Sequence, residues 1–122
     1  MPLGNLSFGE FRAEGVVDPD YLEPQLAPLD PIFQACYMRA LMRDHATEGQ
    51  IVLKLTGGES KIFATVVENA TGDTELGTCV TEGVATIKVI ERGALGPWVY
   101  TADWSVTFEI VQPRSRKRES TD

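Results

Sequence analysis

Apolar residues recur along this chain with two different spacings. In Gln50-Ile51-Val52-Leu53-Lys54-Leu55-Thr56 the positions Ile51, Leu53 and Leu55 fall on every second residue, the period of a strand with one buried face. Gly57-Gly58 and the polar Glu59-Ser60-Lys61 follow, leading into Ile62-Phe63-Ala64-Thr65-Val66-Val67. Two β-rich runs around a glycine-containing loop of about five residues predict an antiparallel hairpin. Trp104, Val106, Phe108 and Ile110 alternate in the same way with Ser105, Thr107 and Glu109, predicting a last strand with one wet face. Near the start, the spaced apolar positions of Leu6-Ser7-Phe8-Gly9-Glu10-Phe11-Arg12 predict an edge strand.

The other spacing is helical. Leu22, Leu26, Leu29, Phe33, Cys36 and Ala40 step by threes and fours along one face. Asp18-Pro19 and Asp30-Pro31 each pair an N-cap acid with a proline suited to the first helical position. Pro28 and Pro31 cannot share one straight helix interior, so the pattern predicts a short helix near 19–27, a break, and a main helix from about 31 to 44. Thr71-Gly72-Asp73 opens a second helix, capped by Thr71 or Asp73, with Leu76, Cys79, Val80, Val84 and Ile87 on one side. Gly77 and Gly83 weaken that helix by about 1 kcal/mol each relative to alanine, yet they allow close approach to a neighbour. The stretch from Glu91 to Pro97 reads as a loop.

The resulting order is β-α-β-β-α-β, an α+β fold whose economical form is one antiparallel sheet with both helices on a single face. It occupies one domain over residues 6–111. The ends, 1–5 and 112–122, are expected to be disordered. A chain of 122 residues suits a single domain with a core of its own.

Composition narrows the function. The net charge is −7, which argues against nucleic-acid binding, where phosphate neutralisation needs a basic face. Arg114, Arg116, Lys117 and Arg118 collect in the last ten residues. Against Glu119 and Asp122 they give that tail +2 and leave the body at −9, a pattern read as a solvated basic terminus. No apolar run reaches the roughly 18 residues that cross a bilayer, and Met1-Pro2-Leu3-Gly4-Asn5 lacks the basic and apolar regions of an export signal.

Catalytic chemistry finds little support. His45, the lone histidine, follows Arg43-Asp44 at a predicted helix end, where it satisfies terminal carbonyls. Asp18, Asp20, Glu23 and Asp30 crowd the start of the first helical region, where acids complement the helix dipole. Gly57-Gly58 lacks the lysine and hydroxyl of a phosphate loop and reads as a turn. Asn69-Ala70-Thr71 is formally a glycosylation triplet of little specificity. Cys36 and Cys79 match no zinc pattern and fall on core-facing stripes, leaving two buried thiols or one disulfide. No cofactor, metal or catalytic residue is expected. Trp98, Tyr100 and Trp104 are candidates for an aromatic partner-binding patch; the competing reading has them cover the open end of the sheet.

Four segments together carry a family resemblance. Cys36-Tyr37-x-x-Ala40-Leu41 on the first main helix precedes Glu48-Gly49-Gln50-Ile51-Val52-Leu53-Lys54-Leu55, then Val66-Val67, then Gly72-Asp73-x-x-Leu76-x-x-Cys79-Val80. In order and spacing these resemble the AgmX/PglI C-terminal domain, a family related to the C-terminal domain of TonB. The likeness runs from about Gly9 to Ile110. It implies a TonB-like fold and a non-enzymatic, protein-binding role in the periplasm or envelope of a Gram-negative bacterium, in proteins of the gliding-motility type. The leading expectation is a protein segment captured at a sheet edge or at the Trp98/Tyr100 end; the alternatives are a self-associating structural subunit and, behind both, an enzyme or small-ligand binder. The likeness also implies that Cys36 and Cys79 face each other and form a disulfide. The chain departs from the family at Val89-Ile90-Glu91-Arg92, where a Phe-Pro-x-Pro element is usual, and at Asp103-Trp104-Ser105, where Tyr-Pro-Phe is common.

Overall fold

The computed structural model describes residues 3–92 and 96–111. Strands β1 (Leu3–Phe8) and β2 (Arg12–Val16) come first, then helix α1 (Pro19–Leu22), which passes directly into a 3-10 turn over Glu23–Leu26. Helix α2 (Leu29–Arg43), the hairpin β3 (Gly49–Gly58) and β4 (Lys61–Asn69), helix α3 (Thr74–Val84) and the long strand β5 (Val99–Val111) follow. The fold is α+β with a single antiparallel sheet in the order β1-β5-β3-β4, and β2 also pairs with β5. The basic tail 112–122 and the middle of the loop after Glu91 lie outside the described residues.

Burial follows the alternation in the sequence. On β5 the even positions Tyr100, Ala102, Trp104, Val106 and Phe108 are buried, as are Ile51, Leu53 and Leu55 on β3. Phe33, Cys36, Tyr37, Ala40 and Leu41 of α2 join Leu76, Val80 and Val84 of α3 over that same face. The opposite face of the sheet is left to solvent, with Lys54, Phe63, Thr65, Val67, Val99 and Asp103 exposed on it. Gly83 lets α2 and α3 close up, because a Cβ there would stand 2.7 Å from Ile32 Cγ2. Cys36 and Cys79 are bonded across this helix pair, with Cα atoms 5.8 Å apart.

Four expectations need correction. Residues Leu3, Gly4 and Asn5, assigned above to a disordered N-terminus, belong to β1 and pair with Val111, Ile110 and Glu109. The edge strand predicted over 6–12 is two strands sharing one side of β5. Phe8 faces Val106 and Arg12 faces Asp103, so Gly9, Glu10 and Phe11 span only Trp104 and Ser105. This one-residue bulge moves the inward positions from Leu6 and Phe8 to Phe11 and Ala13, keeping both halves on the core. Helix α2 starts at Leu29 with Pro28 at its N-cap, and Asp30 makes no cap. Pro31 falls in the first turn, where its missing N–H has no intrahelical partner to lose.

The last correction concerns the hairpin. Gly57-Gly58 do not form the turn. β3 runs through both, and the chain reverses at Glu59-Ser60, each at positive φ (54° and 62°). This is the two-residue turn whose twist matches paired strands, normally filled by Asn-Gly. Gly57 has a different reason to be glycine: the Tyr100 ring lies across it, in the space a Cβ would occupy.

Candidate functional site

β4 ends the sheet, and its outer side is the most sheet-like surface left open. Its sequence from Ile62 to Val67 holds six residues with no charge, proline or glycine. Edges of this kind present unpaired N–H and C=O groups to any extended chain, and proteins usually blunt them with charge, proline or bulges. The opposite edge is blunted: β1 and β2 are interrupted by the bulge, and Glu10, Arg12 and Glu14 are exposed along it. β4 has a bulge of its own at Val67, the extra residue between the Leu53–Val66 and Val52–Glu68 pairs, and its start is covered. Lys61 bridges to Lys88, and the Val89 N–H donates to the Ser60 carbonyl at 3.1 Å. The segment that supplies this cover is pinned in turn by Gln25, whose side chain accepts from the Ile90 N–H at 2.7 Å and donates to the Ile90 carbonyl at 2.9 Å.

Beside this edge runs a groove of about 430 Å³. One wall is Ala64, Val66 and Asn69 of β4, and the other is Thr74, Gly77, Thr78 and Thr81 of α3. These helix positions step by three and four on the side away from the Leu76/Val80/Val84 stripe, so α3 turns small residues toward the edge. Gly77 sets the closeness of the two walls: a Cβ there would stand 3.1 Å from Asn69 Nδ2 and 3.4 Å from Val66 Cγ2. Strand edge and small-residue helix face together form the geometry in which an added strand inserts alternate side chains.

The groove walls are fixed by polar contacts at the start of α3. Asp73 caps the helix, accepting from the Leu76 N–H at 2.9 Å. Its carboxylate also receives Arg43 of α2, with Nε at 3.1 Å and Nη2 at 2.9 Å from Oδ2. Asn69 donates through Nδ2 to the Asp73 carbonyl at 3.0 Å, and its Oδ1 accepts from the Thr71 N–H at 3.0 Å. The amide of the formal glycosylation triplet is thus committed to joining β4 to α3. At the other side of α3 the Cys36–Cys79 bridge holds it to α2.

The aromatic candidates lie elsewhere. Trp98 is fully buried, and Tyr100 and Trp104 are 3% and 5% exposed. Trp104 stacks on Phe8 at 4.7 Å with Phe11 edge-on at 6.0 Å, while Trp98 meets Tyr21 and Tyr100 edge-on at 6.3 and 6.4 Å. The exposed-patch expectation is therefore corrected: these rings are core, and they cover the end of the sheet. Among the described residues the buried Trp98 and Trp104 indole nitrogens and the Tyr100 hydroxyl meet no hydrogen-bond partner. Burial, aided by Glu91, pushes the Tyr100 hydroxyl up to about 12. Tyr37, which donates to the Thr47 carbonyl at 2.7 Å, is raised to about 12 as well, by burial and then by Glu48 and Glu109.

The remaining candidates do not converge. His45 is exposed beside the end of α2, and Asp18, Asp20, Glu23 and Asp30 are all exposed along the first helical region. Among the described residues no three His, Cys, Asp or Glu side chains gather as metal ligands would. No helix among them is long and apolar enough to cross a membrane.

Sequence reading missed Ala64, Val66, Thr74, Gly77, Thr78 and Thr81 as a site. The available signal was the uncharged run Ile62–Val67 in the outer strand of the hairpin, followed by a helix whose second face carries only small residues.

No family model matches this chain, and neither a curated protein nor a solved structure does.

Proposed function

We propose that this domain is a non-catalytic protein-interaction module that captures an extended polypeptide segment along β4. The observation that carries this reading is the uncharged, open strand Ile62–Val67 lying beside a groove walled by small α3 residues. Backbone pairing would supply affinity, and side chains reaching between β4 and α3 would supply selectivity. The two thiols support a binding role in one further respect: they are bonded to each other, so neither is a free nucleophile. A disulfide of this kind persists in oxidising compartments, and with the resemblance to the AgmX/PglI C-terminal domain it supports a TonB-like module of a bacterial envelope.

Selection of extended peptides from a display library tests this. Bound peptides should carry apolar residues at alternate positions and should protect the amides of Ile62–Val67 from hydrogen exchange. Thr78→Arg, at an exposed position on the groove wall, should weaken binding by about tenfold or more by filling the space for side chains. Peptides that protect the β1/β2 edge, and bind Thr78→Arg unchanged, would refute this site.

A further inference from the structure

We infer that the Cys36–Cys79 bridge is opened and remade through Cys79: its Sγ is the atom that reacts with a low-molecular-weight thiol or disulfide from solvent, while Cys36 reacts only with Cys79. This chemistry belongs to the α2–α3 rim and does not depend on what β4 binds.

The sequence makes the two sulfurs look alike, each on an apolar helical stripe. The structure separates them. Cys36 shares the buried face of α2 with Phe33, Tyr37 and Ala40 and is 2% exposed. Cys79 follows Leu76 by three residues and precedes Val80, on the flank of the α3 core stripe, and it is only partly buried. The bridge thus runs from core to rim. Thiol–disulfide exchange requires the incoming sulfur to reach a sulfur of the bridge, and of the two only Cys79 offers that access.

Charge points the same way. Arg39 Nη1 of α2 stands 3.6 Å from Cys79 Sγ. A guanidinium there favours the thiolate, the reacting form, whereas the apolar surroundings of Cys36 disfavour it. Three carboxylates on or beside α3 act against Arg39. Two of them are engaged by Arg43, with Asp73 Oδ2 at 2.9 Å and Glu75 Oε2 at 3.4 Å. Glu82, one turn beyond Cys79, makes no ion pair among the described residues and is the remaining opposing charge. It acts from farther off than the guanidinium in contact with the sulfur.

The steps balance. In the reduced chain the Cys79 thiolate attacks a disulfide RSSR, forming Cys79–S–S–R and releasing RS⁻. Cys36 loses its proton to solvent and attacks Cys79 Sγ, closing the bridge and expelling the second RS⁻. Two electrons pass from the cysteines to the reagent, and the two protons they shed return the two RS⁻ to thiols. Opening retraces this path. An RS⁻ attacks Cys79 Sγ and Cys36 leaves and takes up a proton; a second RS⁻ then attacks the reagent sulfur, and Cys79 leaves as the thiolate beside Arg39.

The native oxidised chain, exposed briefly to reduced glutathione, quenched with acid and mapped by peptide mass spectrometry, tests this while the fold is intact. Glutathione should be found on Cys79 in at least about tenfold excess over Cys36, following access to the two sulfurs, and the preference should vanish in urea. A short pulse of substoichiometric iodoacetamide on the reduced native chain should mark Cys79 first. Arg39→Gln should slow that labelling by roughly threefold, the size expected of one exposed charge, and Arg39→Lys should restore it. Glutathione on Cys36, or spread evenly over both in the native chain, overturns the inference. So does a bridge that glutathione opens only after unfolding, or a preference that survives in urea. Labelling indifferent to Arg39→Gln removes Arg39 from the account.

Discussion

Reducing the Cys36–Cys79 bridge should cost this domain about 4 kcal/mol of stability. The cysteines are 43 residues apart in sequence, and in the chain-entropy treatment a crosslink closing a loop of that size removes about 13 cal/mol/K from the unfolded chain, hence about 4 kcal/mol at 25 °C. That is a large share of the roughly 5–15 kcal/mol typical of a folded domain. For about a hundred ordered residues it corresponds to a fall in Tm of roughly 15–30 °C. Urea unfolding of oxidised and fully reduced protein checks this while keeping every side chain, so no cavity or lost contact enters the comparison. The reduced chain should unfold at lower urea and with a steeper dependence, because an uncrosslinked unfolded chain exposes more surface. A Cys36→Ala/Cys79→Ala double variant should be weaker still, since Cys36 is buried and its truncation leaves a void. A difference below about 1 kcal/mol between oxidised and reduced protein, with unchanged urea dependence, would refute the reasoning that the bridge acts by constraining the unfolded chain.

Gly57→Ala should destabilise by about 1–3 kcal/mol in the same assay, because the new methyl enters the Tyr100 ring; Gly58→Ala, with its nearest atom 3.9 Å away, should cost less. Asp73→Asn should keep the α3 cap and lose only the ion pair with Arg43, whereas Asp73→Ala should lose both and cost about 1 kcal/mol more by thermal melting. Replacing Glu59-Ser60 by Asn-Gly should stabilise by about 1 kcal/mol, since both positions hold positive φ; no rise in Tm would refute the turn assignment. Stability should fall as pH climbs from 10 toward about 12, because the folded state keeps Tyr37 and Tyr100 protonated while the unfolded chain releases those protons. Tyr37→Phe with Tyr100→Phe should flatten that fall.

The layers of the fold were legible because burial imposes a period. Ile51, Leu53 and Leu55 had to alternate, and Leu22 through Ala40 had to step by threes and fours, whatever the details of packing. The α3 cap was legible only as Thr71 or Asp73, two acceptors near the start of an apolar stripe; the structure selects Asp73. What escaped was decided at a distance in sequence. Nothing near Gly57 says that Tyr100 will lie over it, so its glycine reads as a turn residue. Nothing near Phe11 says that β5 will run beside both Leu3–Phe8 and Arg12–Val16, so the bulge and the second edge strand stay hidden. Trp98, Tyr100 and Trp104 misled because large aromatics serve cores and interfaces alike, and only topology tells which. The edge proposed for docking was missed for the opposite reason: its residues are small and ordinary, and their meaning comes from what the sheet leaves uncovered.

The placement of the two constraints on α3 ties stability to the site. The helix gives its Leu76/Val80/Val84 face to the core and its threonine face to the groove. Its own apolar contacts fix the first face, but the second has only small side chains with which to hold a distance from β4. That distance is held by Cys79 bonded to α2 and by Asp73 between Arg43 and the Asn69 turn, with Gly77 letting the walls approach. Such an arrangement leaves the groove walls free of bulky packing, which is what an incoming strand requires. It also explains why Gly77 is placed where a methyl would press on both Val66 and Asn69: a groove held open by a crosslink and an ion pair needs no side chain of its own to prop it.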